Sequence, residues 1–180
     1  MTQIRGANGE LADVDNKNRL QTYATTQDLA QTLLLNGLLH SVFCQVTPVG
    51  AGDYFLYIKN TGVVDIGFNM VKVSSSVPTK IMIESVIGTP SYVSATPAEI
   101  TNMNLSSTGS PTVDAQFDTN ITGLTKDGHL TFMEAGVADT IYDSNVFGGI
   151  VLPQGKAVAF KRVAATGLIT LNLSLGVIDF

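Results

Sequence analysis

The sequence predicts an all-β domain carried behind a polar N-terminal arm, and three observations lead there. From Ser41 onward apolar residues recur at every second position or in short runs, which is the spacing of strands. Gly, Pro, Asn and Asp cluster between those runs at β-turn intervals. Residues 1–40, by contrast, carry charges of both signs and too few large apolar side chains for a core of their own. The chain therefore divides into an arm with one short helix, 1–40, and a β-sandwich body, 41–180.

The arm comes first. Gly6, Gly9 and the run Asp13-Val14-Asp15-Asn16-Lys17-Asn18 read as extended chain and turns. Such a segment becomes ordered by lying on something, most simply a neighbouring copy of the same protein. Thr25-Thr26-Gln27-Asp28 then supplies an N-cap followed by a first-turn acid. Leu29 to Leu35 has near-helical spacing and Gly37 supplies a C-cap, so a helix of about ten residues is predicted. Its leucines leave it apolar on most faces, more than an exposed lone helix tolerates. Leu33, Leu34, Leu38 and Leu39 are the candidate packing residues, and Arg5, Arg19 and Leu20 the candidates for docking the arm.

The body follows as candidate strands at 41–48, 54–60, 63–74, 80–87, 91–95, 129–134, 149–152, 157–163 and 168–178. Between them stand Gly50-Ala51-Gly52-Asp53, Asn60-Thr61-Gly62, Gly88-Thr89-Pro90, Lys126-Asp127-Gly128, Pro153-Gln154-Gly155 and Thr166-Gly167, all read as turns. The last strand alternates cleanly. Ile169, Leu171, Leu173, Leu175 and Val177 share one face, with Thr170, Asn172, Ser174 and Gly176 on the other. Strands of this number and spacing predict an antiparallel β-sandwich or barrel, of which the jelly roll is the favoured version. Order weakens between Thr96 and Lys126, where Asn102 to Pro111 reads as a long polar loop. Loops of that length are usually functional or covered by a partner.

Composition narrows the function. A chain of 180 residues buries a sizeable core without metals or disulfides. Charged residues make up 14% of it, against about 25% in an average soluble domain. The surface is therefore a Ser/Thr/Asn-coated sheet, or is covered by other subunits; the second reading is favoured. A net charge of −5 and a pI near 4.8 argue against nucleic acid. No Lys or Arg occurs between Lys80 and Lys126, and the adjacent pair Lys161–Arg162 reads as solvated. Cys44, the single cysteine, lies in an apolar run and reads as a buried, inert thiol. No apolar leader follows Met1, and apolar runs fall short of the roughly 18 residues of a membrane span, so a soluble protein made in a cytoplasm is expected.

Catalytic patterns are sparse. Glu134, Asp139 and Asp143 near His129 match neither H-E-x-x-H nor a calcium loop, and read as solvated carboxylates. Gly148-Gly149 and Pro153-Gln154-Gly155 match no phosphate-binding pattern. No G-x-S-x-G elbow exists, and His40 is expected to meet the last carbonyls of the helix. The expectation is a protein that is not an enzyme, with no cofactor and no metal.

Several segments, in order, resemble tailed-bacteriophage virion proteins of the head decoration, cement or head-fibre type. Asp15-Asn16-Lys17-Asn18-Arg19-Leu20-Gln21-Thr22 looks like the stretch preceding the body of such proteins. Asn36-Gly37 followed by Ser41-Val42-Phe43 is similar to their helix-to-strand join. Tyr54-Phe55-Leu56-Tyr57-Ile58-Lys59-Asn60-Thr61, Asn102-Met103-Asn104-Leu105-Ser106-Ser107 and Leu152-Pro153-Gln154-Gly155-Lys156-Ala157 resemble a strand, an Asn-rich loop and the turn before the final hairpin. The resemblance implies a β-sandwich on the virion surface, usually a homotrimer, without catalysis. Its partners would be itself and the major capsid protein or other virion proteins, with no nucleic acid and no membrane. Two alternatives stand beside it: a tail, collar or baseplate component, and a carbohydrate-binding adhesion module using Tyr54, Tyr57, Tyr92 or Tyr142.

Overall fold

Among the described residues the chain is nearly all β, with antiparallel sheets. The computed structural model describes residues 4–5, 11–12, 33–107, 111–164 and 167–178. In the arm, β1 (Ile4–Arg5) pairs antiparallel with β2 (Leu11–Ala12), Arg5 standing opposite Leu11. Leu33–Leu35 form the last helical turn before the body. It ends at Gly37, whose φ of 67° is the left-handed conformation a C-cap needs. The N–H of Gly37 donates to the Leu34 carbonyl at 3.0 Å and that of Leu38 to the Leu33 carbonyl at 2.8 Å, the paired bonds of a Schellman cap. The rest of the expected helix, with Arg19 and Leu20, lies outside the described residues.

Ten strands build the body: β3 (Leu39–Val46), β4 (Tyr54–Asn60), β5 (Asp65–Ser75), β6 (Thr79–Tyr92), β7 (Thr96–Pro97), β8 (Glu99–Asn102), β9 (Val113–Ala135), β10 (Tyr142–Leu152), β11 (Ala157–Arg162) and β12 (Ile169–Ile178). One five-stranded sheet runs β10-β5-β12-β3-β8, the other β4-β11-β6-β9-β7. Neighbours in each sheet come from distant parts of the chain: β12 lies between β5 and β3, and β11 between β4 and β6.

The main core takes its side chains from both sheets. Val42, Phe68, Val71, Leu171 and Leu173 come from the first, and Phe55, Ile58, Ile81, Ile83 and Phe160 from the second. That is the face-to-face packing of a β-sandwich, with each strand's apolar alternates turned inward. On β12, Ile169, Leu171, Leu173 and Leu175 are fully buried. Its opposite face is exposed at Asn172 but buried again at Ser174. Cys44 lies in the same core, and burial pushes its thiol up to about 12.

β9 departs most from expectation. Order is expected to weaken over 96–126, with a loop at 102–111, yet the stretch holds β7, β8 and the first half of a strand of 23 residues. Residues 113–121 of β9 pair with β4, and residues 121–135 pair with β6. Ile121 stands opposite both Tyr54 and Tyr92 at the crossing, so β4, β11, β6 and β9 form a closed ring of pairings. Asp, Asn and Gly have low strand propensity, which hid this strand; pairing with β4 along its first part and β6 along the rest overrides that preference.

Two expected turns fall inside strands for the same reason. Gly88-Thr89-Pro90 belongs to β6 and Lys126-Asp127-Gly128 to β9, where register shifts absorb them. Gly88 (φ 107°) and Gly123 (φ 76°) face each other there. A Cβ on Gly123 would stand 2.4 Å from the Thr89 carbonyl oxygen, so the backbones meet where only glycine fits. The expected strand 91–95 is cut at Tyr92, and 149–152 is only the tail of β10.

Candidate interaction surface at the N-terminal join

The end of the sandwich where the helical turn enters β3 is built around two asparagines. Asn102, the last residue of β8, donates from Nδ2 to the Gly37 carbonyl at 2.9 Å and lies 3.3 Å from His40 Nε2. Its Oδ1 accepts the N–H of Asn104 at 2.9 Å. Asn104 in turn donates to the Leu35 carbonyl at 3.1 Å and accepts the Ser106 N–H at 3.1 Å. Short polar side chains that bond the backbone two residues on are typical turn builders. Here they also close the carbonyls of the helix end, which the sequence assigns to His40. His40 is instead buried in β3.

This framework displays apolar side chains to solvent. Leu35 is 60% exposed, Met103 44% and Leu105 89%, all on the two segments the asparagines tie together. Ser107 packs so tightly on Gly37 that a Cβ there would lie 2.3 Å from its Oγ. Behind them a cavity of about 140 Å³ is lined by Leu38, His40, Asn60, Val64 and Val177. Asn60 is fully buried; its Nδ2 donates to the Val64 and Leu152 carbonyls at 2.8 and 2.9 Å. The platform is therefore fixed by hydrogen bonds on its polar side and left bare on its apolar side.

The candidate packing residues divide here. Leu33 and Leu39 are buried, while Leu34 and Leu38 are half-buried. Sequence reasoning singled out the helix leucines and the Asn-rich loop separately; the structure brings them together. It adds Leu35, Met103 and Leu105, whose exposure no spacing pattern announces.

The tyrosines converge at a different place. Tyr57 is 3% exposed and packs with Val86, Ile121, Ala157 and Ala159 in a second core, against Tyr54, Tyr92 and Leu124. Tyr54 donates to Oε2 of the buried Glu84 at 2.6 Å, and Lys126 stands 3.5 Å from Oε1 of the same carboxylate. Burial, then the Glu84 hydrogen bond, pushes the Tyr54 phenol well above its ordinary value. Tyr142 accepts the Val137 N–H at 2.8 Å. Three of the four candidate sugar-stacking rings are thus packed into a core, not laid out as an exposed platform.

Arg162, expected to be solvated, is fully buried. Its Nε donates to the Ala164 carbonyl at 3.0 Å and its Nη1 to the Gly167 carbonyl at 3.3 Å, tying down the loop after β11. Burial holds its guanidinium below the ordinary arginine value. Among the described residues no three His, Cys, Asp or Glu side chains are grouped to hold a metal ion. No described helix is long and apolar enough to cross a membrane. Comparison with protein-family models, curated proteins and solved structures yields no match.

Proposed function

We propose that this chain is a non-enzymatic structural protein of a tailed-phage particle, a decoration or cement protein that docks on the capsid surface and stabilises it as a homotrimer. The observation that carries the reading is the bare Leu35–Met103–Leu105 ridge on its hydrogen-bonded platform. Exposed aliphatic side chains gathered on segments that hydrogen bonds hold together are candidate contact sites. Low charge supports the same reading, because interface cores are depleted of charged residues. The strand order β10-β5-β12-β3 over β4-β11-β6-β9 is compatible with the jelly-roll version of the sandwich, a fold that recurs in viral capsid domains, and so supports this reading. The resemblance of the join, the strand at Tyr54 and the turn at Pro153 to phage decoration proteins points the same way.

In this reading the ridge and the arm, with Arg5, Arg19 and Leu20, grip adjacent subunits. Repeated contacts of modest affinity then act together through effective concentration. The decisive measurement is quantitative mass spectrometry of purified particles that encode the chain, with a density map. A copy number matching the capsomers and density on the head support the proposal. A copy number matching the tail or baseplate moves the protein there, and absence from the particle ends the structural reading.

A further inference from the structure

At the opposite end of β3 from the join lies a cleft of about 370 Å³. It forms because β8 covers only the first half of β3, pairing with residues 40–43. Residues 93–98, which lead from β6 through β7 of the second sheet towards β8 of the first, pass beside the uncovered half. The crossing is pinned by Asp118, 3% exposed. Its Oδ2 accepts the N–H groups of Val93 and Ser94 at 2.5 and 2.7 Å. Its Oδ1 accepts the Thr119 N–H at 2.6 Å and the Thr119 hydroxyl at 3.3 Å. Burial acts to raise the Asp118 carboxyl, but these hydrogen bonds outweigh it and hold the group below the ordinary carboxylate value. Four donors occupy its lone pairs, so Asp118 shapes the cleft and has none to offer a metal.

Apart from the Asp118 carboxylate, whose oxygens are taken up by those four donors, the side chains lining the cleft are uncharged. Gln45, Thr47, Ser94, Thr96 and Thr119 supply an amide and four hydroxyls, and Phe117 and Leu168 supply an apolar wall. Thr47 and Ser94 are exposed, so their hydroxyls are open to a ligand from solvent. No lysine or arginine lines the cleft, so an anion finds no counter-charge. The volume falls in the range of small-molecule sites, about 300–1,000 Å³. A hydrogen bond links one wall of the cleft to a neighbouring groove. Gln45 donates from Nε2 to the Thr170 hydroxyl at 3.2 Å, and Thr170 begins a second groove of about 250 Å³ on the outer face of the first sheet. Phe43 and Ile141 wall that groove, with Lys72, Ser74 and Asn172 beside them.

Donors and acceptors without net charge, set against an aromatic ring, complement a sugar: its hydroxyls need partners and its ring presents a C–H face. We propose that the cleft binds a neutral saccharide, with Gln45, Thr47, Ser94 and Thr96 hydrogen-bonding its hydroxyls and Phe117 lying against a ring. A longer chain runs over the Gln45–Thr170 pair into the groove at Phe43. This site is separate from the tyrosine core. Its distance from the join, about 23 Å for seven residues along β3, turns it away from a particle held by the join; the saccharide site itself does not rest on that docking.

The test is titration calorimetry of the full-length chain with neutral malto-, cello-, chito- and manno-oligosaccharides at up to millimolar concentration. Thr96→Lys and Gln45→Ala alter the cleft from exposed positions, and Thr125→Lys, exposed on β9 away from it, is the control. At least one sugar series is expected to bind. Each cleft variant should weaken it about tenfold or more, with unchanged thermal unfolding and with the control unaffected. No binding by any series overturns the proposal. So does binding that both cleft variants leave intact, a loss matched by Thr125→Lys, or tighter binding of inorganic phosphate than of any sugar.

Discussion

Leu173 and Asn172 are chain neighbours on β12 with opposite surroundings. Leu173 is fully buried between the sheets, while Asn172 is exposed and accepts the Ser41 hydroxyl at 3.1 Å. Truncating a core leucine to alanine typically costs about 2–5 kcal/mol, and a buried carboxylate adds desolvation. Leu173→Asp should therefore abolish folding. Asn172→Asp, which keeps the acceptor in water, should stay within about 0.5 kcal/mol of the parent. Chemical denaturation of the two variants checks the pair; equal destabilisation would show that the outer face of this sheet is also covered.

Tyr92 carries the second residue-scale expectation. Burial first, then the nearby Asp114, Tyr57 and Asp118, pushes its phenol up to about 12, and Tyr57 is raised by burial and Asp114. In the unfolded chain a phenol titrates near 10. The native state therefore holds its proton more tightly, so stability is fully present below about pH 10 and is lost as pH rises toward 12. Denaturation midpoints taken at stepped pH should hold level up to about 10 and then fall. Tyr92→Phe, which removes one such phenol, should make that fall shallower; an unchanged slope would show that the second core does not control alkaline unfolding.

At the scale of elements, the arm and the body are separable in a way that can be measured. The strands that build the sandwich core begin at Leu39, and β1 pairs with β2. Deleting residues 1–24 should leave a cooperatively melting β-body, because among the described residues none of the core side chains is removed. The same truncation should weaken binding to particles if the arm grips neighbouring subunits. Circular dichroism melting and co-sedimentation with particles read these outcomes separately. A truncated chain that fails to fold would make the arm part of the domain.

For the whole molecule, the proposed trimer has its own test. A sandwich with open strand edges and a bare Leu35–Met103–Leu105 ridge is protected from indiscriminate association when closed symmetry covers those surfaces. Light scattering of the purified chain at micromolar concentration should give the mass of a trimer, and Leu105→Glu should shift it toward smaller species if the ridge lies between copies. A monomer for the parent chain would remove the oligomer from the reading.

Much of this fold is local, and so legible without coordinates. The period-two pattern of Ile169 to Leu175 places one face inside from the residues alone, because a strand's side chains alternate whatever it pairs with. Gly37 marks the end of the helical turn by its freedom at positive φ. The turns at Gly50–Asp53 and Pro153–Gly155 are set by their own residues. Non-local pairing decided the rest. Residues 113–128 are too polar to announce a strand and become one because β4 pairs with their first half and β6 with their second. Arg162 looks like surface charge until the carbonyls of Ala164 and Gly167 close over it. The join and the cleft are assembled from segments about 70 residues apart in sequence, Leu35 with Asn104 and Gln45 with Asp118. Periodicity describes one strand at a time; only the packing of two sheets could bring those side chains to a common surface.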